Sequence, residues 1–566
     1  MVSAPNANKL FYGDNLDILR QHIADECVDL IYLDPPFNSN ATYNVLFKSP
    51  SGEQSAAQIE AFDDTWHWNL SAERAFDEVV QSGNAEAANM LIAVRSFLGT
   101  NDMMAYLAMM SVRLIELHRV LKPEGSLYLH CDPKASHYLK ILLDAIFGTA
   151  SYTNEIVWQR TPAHSSAKKF APIHDIILYY RKSKKHIWNA PRAGYTQEYL
   201  DKYYKFDDGD GRLYWRADIT GAGTRTGDSG KPWKGRDPTH INRHWALPEE
   251  VIAALAGGAE KAKKLTVQEK LELLDNADLL YWPKGDGMPQ YKRYRENLKG
   301  VAVGDIWTDV QRINPVGSER LGYPTQKPLA LLERILEVSS KPGDVVLDPF
   351  CGCGTTIHAA QKLGRKWLGI DVTHLAVGLI QKRLTEAFPS VKYEVVGVPK
   401  DIGAAVALAL ADKHEFQKWA LSLVGAQPYK GGKKGADGGV DGYIFFKLDG
   451  KTTEKAIVSI KGGAHVSDTM IKDLITTVDH ENAKMGVFVT LASPTKPMIK
   501  RAVTAGFYKP DSAFSKLSGQ TYPKIQIFTI AELMDGKKPH MPWIDTSGSK
   551  KAKVEQDEKS QGTLDL

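Results

Sequence analysis

Two hydrophobic rhythms alternate over the first 183 residues, short unbroken apolar runs and longer stretches with helical spacing. That is the pattern of strands and crossover helices in a parallel-type sheet. VDLIYLD (28–34) predicts a buried strand, MMAYLAMMSVRLIELHRVL (103–121) an amphipathic helix and GSLYLHC (125–131) the next strand. HYLKILLDAIF (137–147) predicts a helix and HDIILYYRK (174–182) a strand. From about 184 to 305 the rhythm is lost and Trp, Tyr, Lys, Arg and Gly accumulate, as in an inserted module. It resumes with a helix at 326–340, a strand at DVVLDPF, a helix at TTIHAAQKLG, a strand at KWLGIDV and a helix at HLAVGLIQKRL. After about 400 a new unit begins, with a helix at EFQKWALSLVGA (415–426) and the loop YKGGKKGADGGVDG. Strands at YIFFKL and KAIVSIKG, a helix at SDTMIKDLITTVD and a buried strand at MGVFVTLA follow. The polar, charged tail 546–566 is expected to be disordered.

The 566 residues exceed what one core can organise, so two to four domains are expected. A net charge of +4 is mild for this length and says little about partners. Four scattered cysteines fit a reducing cytoplasm, and the one-residue spacing of Cys351 and Cys353 is not a zinc spacing. The chain shows no basic-then-apolar leader and no run of eighteen or more apolar residues, so a soluble intracellular protein without membrane association is expected.

Chemistry concentrates at strand ends. Asp34, Pro35, Pro36 and Phe37 follow the strand at 28–34, and the glycine-rich DPFCGCGTT (348–356) follows a second strand far along the chain. By itself Asp-Pro-Pro-Phe could be a strand closed by a rigid turn. In open α/β sheets, however, ligands bind beyond the carboxyl ends of strands. Gly352 and Gly354 would let the backbone approach a cofactor at a helix entry, and Asp371, at the end of the next strand, suits a ribose diol.

With these motifs in hand, the segment from about 9 to 390 resembles the amino-methylating DNA methyltransferases that use S-adenosylmethionine. DPPF (34–37) resembles their catalytic motif and DPFCGCGTT their cofactor loop, in the order of the circularly permuted β class. YPTQKPLALLERI (323–335), GSLYLHCD (125–132), NEIVWQR (154–160) and HDIILYYRKS (174–183) are similar to adenine-N6 enzymes related to Type III modification subunits. The resemblance implies a Rossmann-like α/β methyltransferase with an inserted target-recognition region. It implies double-stranded DNA as partner, admits a homodimer, and places the protein in the cytoplasm, on the nucleoid when bound to DNA. Phe350, Gly352 and Gly354 would lie along the methionine portion of S-adenosylmethionine, with Asp348 in the same loop, Asp371 on the ribose and Asp14 at the adenine ring. Thr325, Gln326 and Lys327 would close the cofactor pocket.

The lone pair of an aromatic amine is delocalised into the ring, so a site must accept hydrogen bonds from its N–H groups to free that pair. Asp34 can take one N–H and the Pro35 carbonyl, held rigid by Pro36, the other. Phe37 offers a stacking face for an extruded base. By resemblance, Asp in the first motif position implies adenine N6, whereas cytosine-N4 enzymes more often carry Ser and glutamine-modifying protein methyltransferases Asn. In the insertion, Arg212, Arg216, Arg225, Lys231, Lys234, Arg236 and Arg243 interleave with Tyr214, Trp215, Trp233 and Trp245. That mixture suits phosphate contact and base-edge readout by the region, with no single residue assigned.

Beyond 400, Asp441 precedes one strand and Lys461 closes the next, a pair able to hold a hard cation and activate water. HEFQKWAL, GADGGVDGY, AIVSIKGG and GVFVT resemble the Mrr-like branch of the PD-(D/E)xK nucleases, implying a C-terminal α/β restriction-endonuclease-like domain. Lys461 would be the nuclease lysine, Asp441 the Mg²⁺ ligand and Glu415 a helix-borne metal acid. Ser459 stands where that family usually has Glu or Gln.

The expected layout is a methyltransferase catalytic half at 1–183, target recognition at 184–305, the cofactor half at 306–400, the nuclease-like domain at 401–545 and the tail at 546–566. The expected function is a site-specific adenine DNA methyltransferase fused to an endonuclease, a single-chain restriction-modification enzyme. The competing reading is an orphan methyltransferase tethered to DNA by a non-cleaving nuclease fold, and RNA methylation is a third.

Overall fold

The computed structural model describes residues 7–36, 42–45, 59–63, 67–162, 170–314, 319, 323, 325–429, 439–447, 453–510 and 520–542. Phe37 therefore lies outside the described residues, as do Lys433, Lys434 and the tail. The chain divides into two compact units, residues 190–303 and the remainder.

The larger unit contains a nine-stranded sheet. Its strands in chain order are β1 (Asn8–Tyr12), β2 (Val28–Leu33), β3 (Leu121–Cys131), β4 (Tyr152–Gln159), β5 (His174–Arg181), β6 (Ile306–Trp307), β7 (Val345–Asp348), β8 (Lys366–Asp371) and β9 (Tyr393–Val396). The spatial order is β6-β4-β5-β3-β2-β7-β8-β1-β9. Most pairs are parallel, as the alternating pattern predicts, but β5 runs antiparallel to both β3 and β4. The link from β4 to β5 carries no crossover helix among the described residues, and without one the chain returns antiparallel.

Helices α1 (Asn15–His22), α2 (Leu70–Gln81), α3 (Ala85–Leu98), α4 (Asp102–Val120) and α5 (Ser136–Phe147) belong to this unit. α4 buries Met104, Leu107, Leu114 and Leu117 in a core shared with Leu33, Leu129 and Leu347. α6 (Leu329–Ser339), α7 (Thr355–Lys362) and α8 (His374–Ala387) complete the helices of this part of the unit. Leu30 and Ile31 of β2 pair in register with Val346 and Leu347 of β7, so two strand tips distant in the chain end side by side.

α9 (Ile402–Ala411) and α10 (Lys413–Leu423) lead into a five-stranded sheet. Its order is β10 (Gln427–Pro428), β11 (Gly442–Lys447), β12 (Thr453–Lys461), β13 (Met485–Thr490) and β14 (Ile525–Thr529). Alternation along β12 sends Ala456, Val458 and Ile460 into one core with Phe416 and Trp419 of α10, while Ile457 joins a second. That second core includes Ile471 and Leu474 of α11 (Asp468–His480).

Residues 190–303 form an antiparallel sheet of Leu280–Tyr281, Gln290–Tyr294, Leu213–Asp218 and Phe206–Asp207. Trp233 and Trp245 sit in its hydrophobic core, and Tyr214 is buried as well. The Arg216 guanidinium lies between the rings of Phe206 and Tyr281, 3.7 and 3.5 Å from their centroids. Arg212, Lys231, Lys234, Arg236 and Arg243 make ion pairs with acids of the same unit. Much of the aromatic-basic mixture thus builds this module's interior and its ion pairs.

Candidate active sites

Carboxyl ends of parallel strands point the same way, so the tips of β1, β2, β7 and β8 open on one cavity of about 260 Å³. Asp14, Asp34, Pro36, Thr325, Gln326, Lys327, Asp348, Phe350, Gly352 and Asp371 all line it, which brings both halves of the sequence motif set together. Tyr32, Asn15, Arg113 and Tyr323 line it too and were not anticipated.

The glycine loop needs its glycines. Gly352 has φ +49° and Gly354 φ +74°, and a Cβ on Gly354 would stand 2.7 Å from Cγ1 of Ile380. A Cβ on Gly352 would meet the Tyr323 ring at 3.2 Å. Asp371 fixes the loop: its Oδ2 accepts from the Gly352 N–H at 2.9 Å, while Oδ1 accepts from the Thr373 N–H and hydroxyl at 2.9 and 2.8 Å. Its backbone carbonyl accepts from Gly13 N–H at 3.0 Å, joining β8 to the turn before α1. Burial pushes the Asp371 carboxyl up to about 6. Asp348, which caps the Phe350 N–H at 3.0 Å, is pushed up to about 7 by burial, with Asp34 and Asp371 as like-charged neighbours.

Asp14 is the N-cap of α1, accepting from the Leu16 N–H at 2.8 Å. Arg113 of α4 donates to Asp14 Oδ2 at 2.8 Å and to Asn15 Oδ1 at 2.6 Å, and Asn15 donates to the Pro349 carbonyl at 2.9 Å. A buried guanidinium thus ties the start of α1 to the glycine-rich loop. The only sequence signal for it is a cation inside the apolar face of a helix.

Asp34 follows β2 without a gap, and its Oδ2 is paired with the Lys327 ammonium. Lys327, expected near the cofactor, lines the cavity and also reaches the acid of the tetrapeptide. The cavity is suited to a cationic sulfonium donor with a ribose. It combines carboxylates at three strand tips with a backbone loop that has no room for side chains at Gly354.

In the C-terminal part built on the five-stranded sheet, Asp441 Oδ2 accepts from the Ile460 N–H at 2.6 Å and lies 3.9 Å from Lys461 Nζ. The Gln417 side-chain amide of α10 reaches Asp441 Oδ1. Ser459 and Lys461, two residues apart on β12, share a face of that strand. Glu415, expected as a helix-borne metal acid, does not join this group. Its Oε2 accepts from the Tyr12 hydroxyl and its Oε1 from Lys418 at 2.9 Å, with His374 Nε2 3.9 Å away. Tyr12 stacks on His374 with ring centroids 3.7 Å apart. α10 therefore turns Glu415 toward β1 and α8, and Gln417 is the residue it presents to Asp441. Among the described residues, no group of three or more His, Cys, Asp or Glu side chains is placed to hold a metal ion.

The fold and the first site together define a DNA methylase. A family model described as DNA methylase matches residues 28–382, and the chain belongs to that family. A second, described as restriction endonuclease, matches residues 408–506, so the methyltransferase is fused to a restriction-endonuclease-like domain. Among named relatives, Type II methyltransferase M.EcaI of Enterobacter cloacae is 29% identical over 412 residues, covering 72% of this chain and 76% of that protein. The Mod subunit of the Type III restriction-modification enzyme StyLTI of Salmonella typhimurium is 27% identical, covering 64% of this chain and 51% of that protein. DNA adenine methyltransferase YhdJ of Escherichia coli is 44% identical over 84 residues, which is 15% of this chain and 28% of that protein. No helix among the described residues is long and apolar enough to cross a membrane.

Proposed function

We propose that the chain methylates N6 of adenine in double-stranded DNA, using S-adenosylmethionine bound in the cavity between β2, β7 and β8. The observation that carries this reading is the position of Asp34 at the tip of β2, in one cavity with the Gly352–Gly354 loop and Asp371. Bound there, the donor would supply a methyl group on a sulfonium open to in-line attack. Asp34 accepts one N–H of the target amine and the Pro35 carbonyl the other, which frees the nitrogen lone pair. Lys327 holds the carboxylate in place before the base arrives. Asp14 and Asp371 bind and orient the two ends of the nucleoside, with Phe350 and the glycine loop along the methionine chain. Thr325 and Gln326 close the cavity. The first-position Asp and the adenine specificity in the name of the Escherichia coli relative support adenine over cytosine. Residues 190–303, inserted between the two halves, are the target-recognition unit in this reading. Digestion of duplex DNA labelled by the enzyme should yield N6-methyl-2′-deoxyadenosine; N4-methyl-2′-deoxycytidine in its place would refute the base assignment.

The second part of the proposal is a metal-dependent cut by the C-terminal domain. Mg²⁺ is usually held by one or two carboxylates, with water and substrate phosphate completing its shell. Asp441, assisted by Gln417 and Ser459, fits that arrangement only when DNA supplies the phosphate, and Lys461 would steady the attacking water. The restriction-endonuclease match supports cleavage over a passive DNA tether. Methylation by the first domain would spare DNA from the second, making one chain a self-contained restriction-modification enzyme acting in the cytoplasm. Cutting of unmethylated but not premethylated plasmid in Mg²⁺ is expected; equal cutting of both would refute the protective role.

A further inference from the structure

A chain of buried polar groups leaves the methyltransferase cavity through the sheet. Tyr32 lines the cavity two residues before Asp34 on β2. Its hydroxyl is 2.9 Å from Nδ1 of His130 on β3, and His130 Nε2 is 3.2 Å from Asp175 Oδ2 on β5. Asp175 Oδ1 lies 3.3 Å from Arg160 Nε, and Arg160 is half exposed. Tyr32, His130 and Asp175 are each no more than 3% exposed, so three adjacent strands bury an ordered series that ends near solvent.

Proton positions along the series follow from what each group can accept. Burial alone would raise the Asp175 carboxyl, but hydrogen bonding and charge from His130, with Lys327 and Arg160, hold it below the usual range. An ionised carboxylate only accepts, so His130 Nε2 carries hydrogen and, in the neutral ring, Nδ1 accepts from Tyr32. The Tyr32 oxygen then keeps an accepting lone pair, and Tyr32 lines the cavity.

Methyl transfer forms the nitrogen–carbon bond and breaks the carbon–sulfur bond, the electron pair leaving with sulfur. The amine nitrogen is left positively charged with one proton too many. Asp34 is already charge-paired with Lys327, which weakens it as that proton's final resting place. Resting on the proposed amine methylation, we propose that Tyr32 and His130 form the outlet for this proton. The amine proton passes to the Asp34 carboxylate and across the cavity to the Tyr32 oxygen as Tyr32 gives its own proton to His130 Nδ1. The imidazolium so formed hands its Nε2 proton to the Asp175 carboxylate, which releases it to water beside the half-exposed Arg160. Tyr32 is the relay residue at the cavity, and His130 and Asp175 carry the proton onward from it.

Single-turnover methyl transfer to duplex DNA by the full chain, in light and heavy water, tests this. The native protein should show a normal solvent isotope effect. Tyr32→Phe, which keeps the ring, should slow transfer by about a hundredfold, abolish the isotope effect and leave donor affinity within about twofold. His130→Gln should act in the same direction. A native protein with no isotope effect, a Tyr32→Phe variant with full rate, or a loss that leaves the isotope effect in place or tracks weakened donor binding would overturn the outlet. If the native protein transfers no methyl group to DNA, it is the amine-methylation reading that fails.

Discussion

Lys327 holds its ammonium against Oδ2 of Asp34, and the two side chains are only 12% and 15% exposed. The acid proposed to receive the target amine is thus oriented before substrate arrives, by a residue 293 positions away. Lys327→Met should lower methyl transfer by about tenfold or more, since small misplacements of a reacting group are costly. Single-turnover rates at saturating donor would show this. Unchanged rates would mean that the pair only stabilises the fold.

Burial raises Asp348 and Asp371 to about 7 and about 6 from an ordinary 3.8. A carboxyl raised by folding binds its proton more tightly when folded. Its contribution to stability is therefore complete below the unfolded value and lost as pH climbs through 6 to 7. Burial lowers His358 and His374 to about 3 and about 4, so their contribution is complete above 6.5 and lost as pH falls toward those values. Between about pH 8 and pH 6.5 acidification strengthens the acids' contribution and erodes that of the histidines, so the two nearly offset. The thermal midpoint of the protein without donor should accordingly change little over that interval, and Asp348→Asn, which removes the larger acid contribution, should make it fall on acidification. Scanning calorimetry at the two pH values decides it.

Gly354 cannot accept a side chain, with φ +74° and Ile380 Cγ1 2.7 Å from a would-be Cβ. Gly354→Ala should cost about 1–3 kcal/mol of stability and weaken donor binding. Denaturant midpoints and calorimetric titration read the two effects. Full stability in the variant would contradict the packing described for the loop.

The strands and helices that carry the motifs were legible because each combines a clear period with a chemical punctuation mark. VDLIYLD ends on a carboxylate and two prolines, and DVVLDPF runs into glycines. Their adjacency was legible only through resemblance, since no local signal says that β2 and β7 are neighbours. α2, α3 and the alanine-rich α9 have no counterpart in the sequence pattern. Arg113 and the Tyr32–His130–Asp175 series were missed because isolated polar residues in apolar elements reveal their partners only after folding. Glu415 and Gln417 show the limit of spacing arguments. Two positions apart on a helix they face different neighbours, and the acid met Tyr12 while the amide met Asp441.

That division of α10 separates two substitutions. Lys461→Ala should abolish Mg²⁺-dependent cutting of plasmid DNA, whereas Glu415→Ala should leave the cutting rate within about threefold, because its carboxylate is engaged at β1 and α8. Mg²⁺ binding followed by calorimetry should be undetectable without DNA at micromolar protein, as expected for a site built on one carboxylate. Loss of cutting in Glu415→Ala with the fold intact would restore it as a metal ligand.

The most direct test of the central claim is Asp34→Ala, assayed for transfer of a tritiated methyl group to duplex DNA alongside calorimetric titration with S-adenosylmethionine. If the carboxylate at the tip of β2 receives the amine, transfer is lost while the donor binds nearly as well as to the native protein. Transfer that persists, or donor binding that disappears with it, would contradict the account.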